Sequence, residues 1–345
     1  MKFSLFVHME RADAAVPHRQ LFDELEDLVL SAEAAGFESA WIGEHHGMEF
    51  TIAPNPFIQL AWLAARTTRI RLGTGNVIAP FWHPIRLAGE AAMFDVVSNG
   101  RLDLGVARGA YMFEYERLFP GLDAWGAGQR MREIVPAIQK LWEGDYAHQG
   151  EFYQFPKTTA APKPIQGPVP IWIAARDPNS HDFAVASGCN VQVTPLASGD
   201  AEVASLMERF ETAVAAHPEV PRPRISLLQH TFVTDGPDET ARFVDDMSRY
   251  YGLFGAWFAN KRPVEQGIMA PLTEEERAAA PHFGPDKIAQ NLVIGEPDAV
   301  IARLKGYEAM GYDQFAIWID CGGAHARKKK SLDLFIRHVM PAFAR

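Results

Sequence analysis

The chain has 345 residues, a formal charge of −10, two cysteines and 48 % hydrophobic residues. This composition is typical of a folded globular protein, and the acidic balance argues against nucleic acid as a partner. Two cysteines are too few for a disulfide framework or a cysteine zinc site. The first residues lack a signal-peptide pattern and no stretch is long enough to span a membrane, so we expect a cytoplasmic protein without membrane contact. The basic run from Arg327 to Lys330 is explained as the solvated start of a helix.

Short apolar runs alternate with segments of helical periodicity along the chain. The first half predicts strands at 3–8, 39–44, 70–76 and 101–107, and helices at 21–36, 55–66, 84–97 and 130–142. The second half predicts strands at 171–175, 190–194, 225–233 and 314–320, and helices at 179–187, 200–216, 237–251, 297–310 and 331–343. Residues 252–292 have no clear pattern.

Eight strands that alternate with helices predict a parallel sheet, and we expect it to close into a (β/α)8 TIM barrel. Such a barrel needs about 250 residues. The surplus then falls into loops inserted at the carboxyl-end face, at about 110–130, 145–170 and 252–292 of a single domain 1–345. The alternative is two doubly wound domains divided near 160–170. It lacks a dinucleotide fingerprint, because residues 73–76 (GTGN) have no third glycine.

Polar residues stand where the predicted strands end, which is where TIM barrels place their chemistry. Neighbouring strand residues point to opposite faces, so we expect only one of His45 and His46 to face the mouth. A His-Glu-x-x-His motif is missing from the sequence, and we predict no metal site. In strand order the ends are His8, Glu44-His45-His46, Asn76, Arg108, Arg176-Asp177, Thr194, His230-Thr231 and Asp320.

Two of these strand ends have the residue types of an anion site. Arg108 precedes a glycine, which suits a phosphate or carboxylate, although a salt bridge explains it as well. Residues 175–180 join a strand to a helix, whose first N–H groups attract anions. Here Asn179 or Ser180 is either a helix cap or a phosphate ligand, and the two roles are compatible.

Several ordered segments resemble the bacterial luciferase-like flavin monooxygenases, and the resemblance runs from Met1 to Phe343. The Glu-His-His end of the second strand is similar to that of the catalytic luciferase subunit in particular. The segments are Met1-Lys2-Phe3, 36–46 (GFESAWIGEHH), 72–76 (LGTGN), His83-Pro84, 98–101 (SNGR), 107–109 (ARG), 150–153 (GEFY), 162–164 (PKP), 294–297 (IGEP) and 339–341 (VMP).

The resemblance implies an enzyme that takes reduced FMN from a separate reductase and oxidises a small organic substrate with O2 through a flavin C4a-peroxide. It implies that His45, with Glu44 beside it, is catalytic. It places the flavin ring at Gly75 and Asn76, whose peptide bond we expect to be cis. It also implies that the protein is a homodimer and that residues 252–292 form a lid over the site. The remaining residues that it assigns to the cofactor are Ala107, Arg108, Tyr111, Arg176, Asp177 and Ser180.

The sequence departs from luciferase at two cofactor positions. Ala107 replaces a cysteine, so a thiol at this position takes no part in the mechanism. Arg176 replaces a glutamate, so it either strengthens phosphate binding or pairs with Asp177. Arg130 or Arg132 is a candidate for a second phosphate arginine. The aldehyde specificity of luciferase does not carry over, because the substrate-lining positions diverge.

Two other functions are open. One is hydride transfer with the deazaflavin F420 on the same barrel, although its longer anionic tail favours more Lys and Arg at the mouth than this chain has. The other is a non-catalytic partner subunit, which would lack the Glu-His-His pattern.

Overall fold

Eight parallel strands close into a barrel in the computed structural model, which describes residues 1–11 and 13–343. The strands are β1 (Lys2–Val7), β2 (Ser39–Ile42), β3 (Arg71–Thr74), β4 (Val77–Ile78), β5 (Leu102–Ala107), β6 (Tyr146–Gln149), β7 (Gln154–Thr158), β8 (Ile171–Ala174), β9 (Asn190–Val193), β10 (Ile225–Val233), β11 (Val264–Glu265), β12 (Ile268–Met269), β13 (Val293–Gly295) and β14 (Gln314–Trp318). The barrel order is β1-β2-β3-β5-β8-β9-β10-β14, and β14 pairs with β1 to close it. The predicted TIM barrel is confirmed.

Helices surround this barrel and cover its outer face. They are α1 (His18–Ala35), α2 (Pro56–Ala64), α3 (Pro84–Val97), α4 (Met112–Leu118), α5 (Ala124–Glu143), α6 (Pro178–Ala186), α7 (Asp200–Ala216), α8 (Pro237–Ala259), α9 (Glu274–Ala278), α10 (Pro285–Asn291), α11 (Pro297–Met310) and α12 (His325–Leu334). Within the described ranges, no helix combines the length and the apolar character that crossing a membrane requires.

The predicted bounds of α3, α7, α11 and β10 coincide with the observed ones. Two helices begin six residues before their predicted starts. Helix α5 begins at Ala124, because Asp123 caps it by accepting a hydrogen bond of 2.7 Å from the Gly126 N–H. Helix α12 begins at His325 and contains the basic run, of which Lys328 is only 7 % exposed. The reading of that run as wholly solvated is therefore wrong.

The segment 252–292 has more regular structure than its sequence pattern indicates. Helix α8 continues to Ala259 and is followed by the β11–β12 hairpin, α9 and α10. The buried aromatic residues Tyr250, Phe254 and Trp257 recur at helical spacing on one face of α8, so the helical pattern continues past residue 251. The part of the segment after α8 packs back onto that helix, since the Ser248 hydroxyl donates to the Phe283 carbonyl at 2.8 Å and the Leu272 N–H donates to the Gly252 carbonyl at 3.1 Å.

Two large apolar clusters divide the interior. One fills the space between the strands and the helices, and the other fills the barrel and its mouth. Within the barrel, Phe6 lies level with Trp41 on one neighbouring strand and with Trp318 on the other. This aromatic layer forms a floor, and the strand ends that carry the predicted site residues lie above it.

Candidate active site

Histidines from three strand ends meet at the mouth. The ring centroid of His8 lies 5.1 Å from that of His45. Burial, together with the charges of His45 and His230, lowers the pKa of His8 well below its ordinary value. Burial also lowers the pKa of His230 to about 3, against an opposing effect of the Asp320 backbone. His8 and His230 are therefore neutral at pH 7 and can take part in hydrogen bonds without adding charge.

His45 is held by Glu114, a carboxylate that the sequence analysis missed. The Nδ1 atom of His45 lies 3.1 Å from Oε2 of Glu114, and Oε1 accepts the backbone N–H of His46 at 2.7 Å. Glu114 is 1 % exposed and belongs to α4. An ionised carboxylate only accepts hydrogen bonds, so it fixes the proton of a neutral imidazole on Nδ1 and leaves Nε2 as an acceptor. This is the arrangement of an oriented acid–base group.

His46 is held by a second carboxylate, Glu44. The Nε2 atom of His46 lies 2.8 Å from Oε1 of Glu44, while Oε2 accepts from the backbone N–H of Ile78 at 2.7 Å and from the indole of Trp82 at 2.8 Å. Burial lowers the pKa of His46, but the hydrogen bond and charge of Glu44 and the charge of Glu114 outweigh it and raise that pKa. Both oxygens of Glu44 are thus engaged in positioning His46 and the loop after β3.

His46 faces a cavity of about 350 Å3 beside the helices, away from the floor of the barrel. The walls include Arg86 of α3, Phe119 and Arg130. Arg130 lies over the rings of Phe119 and Phe152, at 4.4 and 4.6 Å from their centroids. The structure therefore places Arg130 in the wall of the same cavity as His46. The expectation that the two histidines face different ways agrees with this geometry.

The predicted flavin-ring residues lie at the end of β3. The Gly75–Asn76 peptide bond is cis, as expected. The Asn76 side chain donates to Oε1 of Gln192 at 2.5 Å. This turn passes very close to β5, because a Cβ on Gly105 would lie 2.0 Å from the Thr74 carbonyl oxygen. A glycine at 105 is required for that approach.

The predicted phosphate residues lie after β5 and β8. Arg108 is exposed and its side chain donates a long hydrogen bond of 3.5 Å to the Ala124 carbonyl, while Ala107 before it is half-buried. Asp177 caps α6, accepting from the Ser180 N–H at 3.0 Å and from its hydroxyl at 2.7 Å. Burial raises the pKa of Asp177, but these bonds and the charge of Arg108 outweigh it and lower that pKa. The side chain of Arg176 is exposed.

Tyr111 closes the mouth between His45 and α8. It is buried, and its ring centroid lies 5.1 Å from that of His45 and 5.0 Å from that of Phe258. Burial and the charge of Glu114 raise the pKa of its hydroxyl well above the ordinary value. A neutral, mostly aromatic wall thus separates His45 from solvent on this side.

Comparisons with known proteins agree with this geometry. A flavin-dependent trigonelline monooxygenase, oxygenase component, from Acinetobacter baylyi is 57 % identical over 345 residues, which is all of this chain and 96 % of that protein. An F420-dependent glucose-6-phosphate dehydrogenase from Kineococcus radiotolerans is 32 % identical over 84 % of this chain and 85 % of its own. The crystal structure of monooxygenase RslO1 from Streptomyces bottropensis superposes with a TM-score of 0.83, at 26 % identity and full coverage of both chains.

A family model decides the assignment. Residues 1–314 match the model described as luciferase-like monooxygenase. With the 57 % identical oxygenase component, this match confirms the prediction of a flavin-dependent monooxygenase, and the alternative of a non-catalytic partner subunit loses its support. The chain belongs to the luciferase-like monooxygenase family.

Proposed function

We propose that this chain is an oxygenase component that uses FMN, reduced by a separate flavin reductase, and O2 to oxidise a small organic substrate. The observation that carries the proposal is the His45–Glu114 pair at the barrel mouth, above an aromatic floor. Reduced FMN, when bound, supplies the electrons that activate O2. His45 holds or moves a proton at Nε2, and Glu114 fixes its orientation. Tyr111 and α8 exclude water from the reaction.

The residues at the mouth fit FMN in two respects. Within residues 1–11 and 13–343, the indole N–H of Trp41 is buried without a partner, which suits an acceptor on a flavin ring. Arg108 is exposed near the Ser180 end of α6, where Arg176 is also exposed, and guanidinium groups with a helix N-terminus suit one phosphate. F420 has more anionic groups, so the modest number of guanidinium groups here favours FMN.

For the substrate, we infer trigonelline or a closely similar N-methylated pyridinium carboxylate. The relative whose name contains this substrate is similar along the entire chain at 57 % identity. Such a molecule is flat and small, and the mouth is lined by aromatic rings that suit a flat ligand, among them Phe50, Tyr111 and Phe254.

For the assembly, we infer a homodimer that forms through α2 and α3. These helices expose Ile58, Met93 and Val97 to 67, 56 and 62 %. Large apolar side chains grouped on one face are typical of interaction surfaces.

Cys189 and Cys321 are free thiols, which agrees with the reducing cytoplasm as the working compartment.

The test combines the purified chain with FMN, NADH, a flavin reductase and trigonelline. We expect trigonelline to be lost together with O2 uptake. In a reaction without the chain, free reduced FMN still consumes O2, but trigonelline should not be lost. Turnover of trigonelline with reduced F420 in the absence of O2 would replace the FMN proposal by the hydride-transfer alternative.

The dimer is tested by light scattering, which should give twice the chain mass of 38.3 kDa. The variant Val97→Asp should give the mass of one chain.

A further inference from the structure

Four side chains at the barrel mouth carry buried polar atoms that lack a hydrogen-bond partner in residues 1–11 and 13–343. These atoms are both ring nitrogens of His230, the indole N–H of Trp318, the hydroxyl of Tyr250 and Oδ1 of Asp320. Each side chain belongs to a residue that is at most 5 % exposed. Native proteins pair nearly all such atoms with protein, water or a ligand. We call these four residues the polar cluster.

The polar cluster is compact and lies close to His45. His230 stacks on Trp318 with ring centroids 3.9 Å apart, and Tyr250 lies edge-on to His230 at 5.1 Å. His8 connects the cluster to the catalytic candidate, since its ring lies 5.4 Å from Trp318 and 5.1 Å from His45. A ligand that satisfies the cluster is therefore within reach of the acid–base group.

The charges behind the cluster are predominantly negative. Asp320 accepts the His8 backbone N–H at 2.6 Å through Oδ2. Glu10 accepts two backbone N–H groups, and its Oε1 lies 3.6 Å from Nζ of the buried Lys328. Two carboxyl groups thus face one ammonium group, and His8 is neutral at pH 7. Aromatic faces with an excess of negative charge behind them attract a cation.

We propose that His230, Tyr250, Trp318 and Asp320 bind the substrate ring and select a planar heteroaromatic cation over a neutral ring of the same shape. This inference rests on the proposed function, because it names the part of that site which distinguishes substrates. The ring faces of Trp318 and Tyr250 and the carboxylate of Asp320 stabilise the positive ring. The indole N–H and the hydroxyl donate to an acceptor on the ring, such as a carboxylate.

The test compares two ligands that differ in the ring charge alone. Trigonelline and 3-methylbenzoate have the same outline and the same carboxylate, but only trigonelline has a cationic ring. Both are titrated into the FMN-loaded protein by calorimetry. We expect trigonelline to bind at least about tenfold more tightly. The preference should fall to about threefold or less in Asp320→Asn and in Trp318→Leu. Asp182→Asn, an exposed position on α6, is the matched control and should retain it.

The outcomes separate this inference from the proposed function. Equal affinity of the wild-type protein for both ligands overturns the inference even if trigonelline is turned over. A retained preference in Trp318→Leu also overturns it. Unchanged affinity of Tyr250→Phe for both ligands overturns it as well, and would assign the unpaired atoms to ordered water. Tight and charge-selective binding without any turnover of trigonelline supports the inference and contradicts the proposed reaction. If Asp320→Asn does not fold, the ligand preference of Trp318→Leu and the affinity of Tyr250→Phe for both ligands decide the question.

Discussion

Glu114→Gln is the most informative change at the candidate active site. It keeps the shape of the side chain but removes the charge that faces His45. The glutamine carbonyl can still accept the His46 backbone N–H, while its amide group then faces Nδ1 of His45. Because an amide NH2 donates, the imidazole must move its proton to Nε2. The variant therefore keeps the packing and exchanges the tautomer.

The expected size of the effect follows from the two hydrogen bonds, at 3.1 and 2.7 Å. Replacing a charged acceptor by a neutral one costs about 1 kcal/mol for each bond, so the free energy of unfolding should fall by about 1–2 kcal/mol. An oriented acid–base group contributes about 10²–10⁴-fold to a rate. We therefore expect the turnover of Glu114→Gln to fall by about tenfold to a hundredfold.

The assay is a single turnover of photoreduced FMN with O2 and trigonelline, with product measured per flavin. ¹⁵N chemical shifts of the His45 ring report which nitrogen carries the proton. Glu116→Gln is the control, because Glu116 lies on the same helix with a side chain that is 55 % exposed, and it should behave as wild type. Wild-type product yield together with an unchanged tautomer in Glu114→Gln would refute the reasoning.

Further expectations concern four other residues. His45→Ala should lower turnover by at least about tenfold with FMN affinity nearly unchanged in fluorescence titrations, and equal losses would make His45 structural. Gly105→Ala should lower the free energy of unfolding by about 1–3 kcal/mol, because its Cβ would lie 2.0 Å from a backbone carbonyl oxygen; an unchanged urea midpoint would contradict this. Arg108→Ala should weaken FMN by about tenfold but leave riboflavin unaffected, and equal weakening argues against a phosphate contact. Burial and a neighbouring carboxylate charge raise the pKa of Asp320 from 3.8 to about 7. Between pH 3.8 and pH 7, Asp320 therefore keeps its proton in the folded state and has lost it in the unfolded state. Between these pH values the free energy of unfolding then falls by up to about 1.4 kcal/mol for each pH unit. Asp320→Asn should reduce this slope in urea titrations, and an unchanged slope would contradict the reasoning.

The sequence predicts those parts of the fold whose signals are local. Helix α3 has a proline in its first turn and a Ser-Asn-Gly turn after it, and its predicted bounds coincide with Pro84–Val97. The polar strand ends were also predictable, because parallel strands that alternate with helices place their carboxyl ends on one face. His8, His45 and His230 meet there as that rule requires.

The partners of the site residues were not predictable in the same way. Glu114 binds His45 across 69 positions of sequence, and no spacing rule connects them. A signal existed, since Glu114 stands between two aromatic residues that are also buried, Phe113 and Tyr115. An acidic side chain among buried rings needs a donor nearby. The sequence could thus indicate that Glu114 has a partner but not which one.

The two histidines after β2 differ because each has its own buried carboxylate. Glu114 takes the ring of His45 and also the backbone N–H of His46, while Glu44 takes the ring of His46 and the backbone N–H of Ile78. Each carboxylate therefore binds one side chain and one stretch of backbone, and neither histidine can turn without breaking a hydrogen bond to a buried carboxylate. Because His46 faces the outer cavity and His45 adjoins His8 and Tyr111, only His45 is placed to act on a substrate at the mouth. The Glu-His-His pattern is better understood as one acid–base group with a rigid support than as two equivalent catalytic histidines.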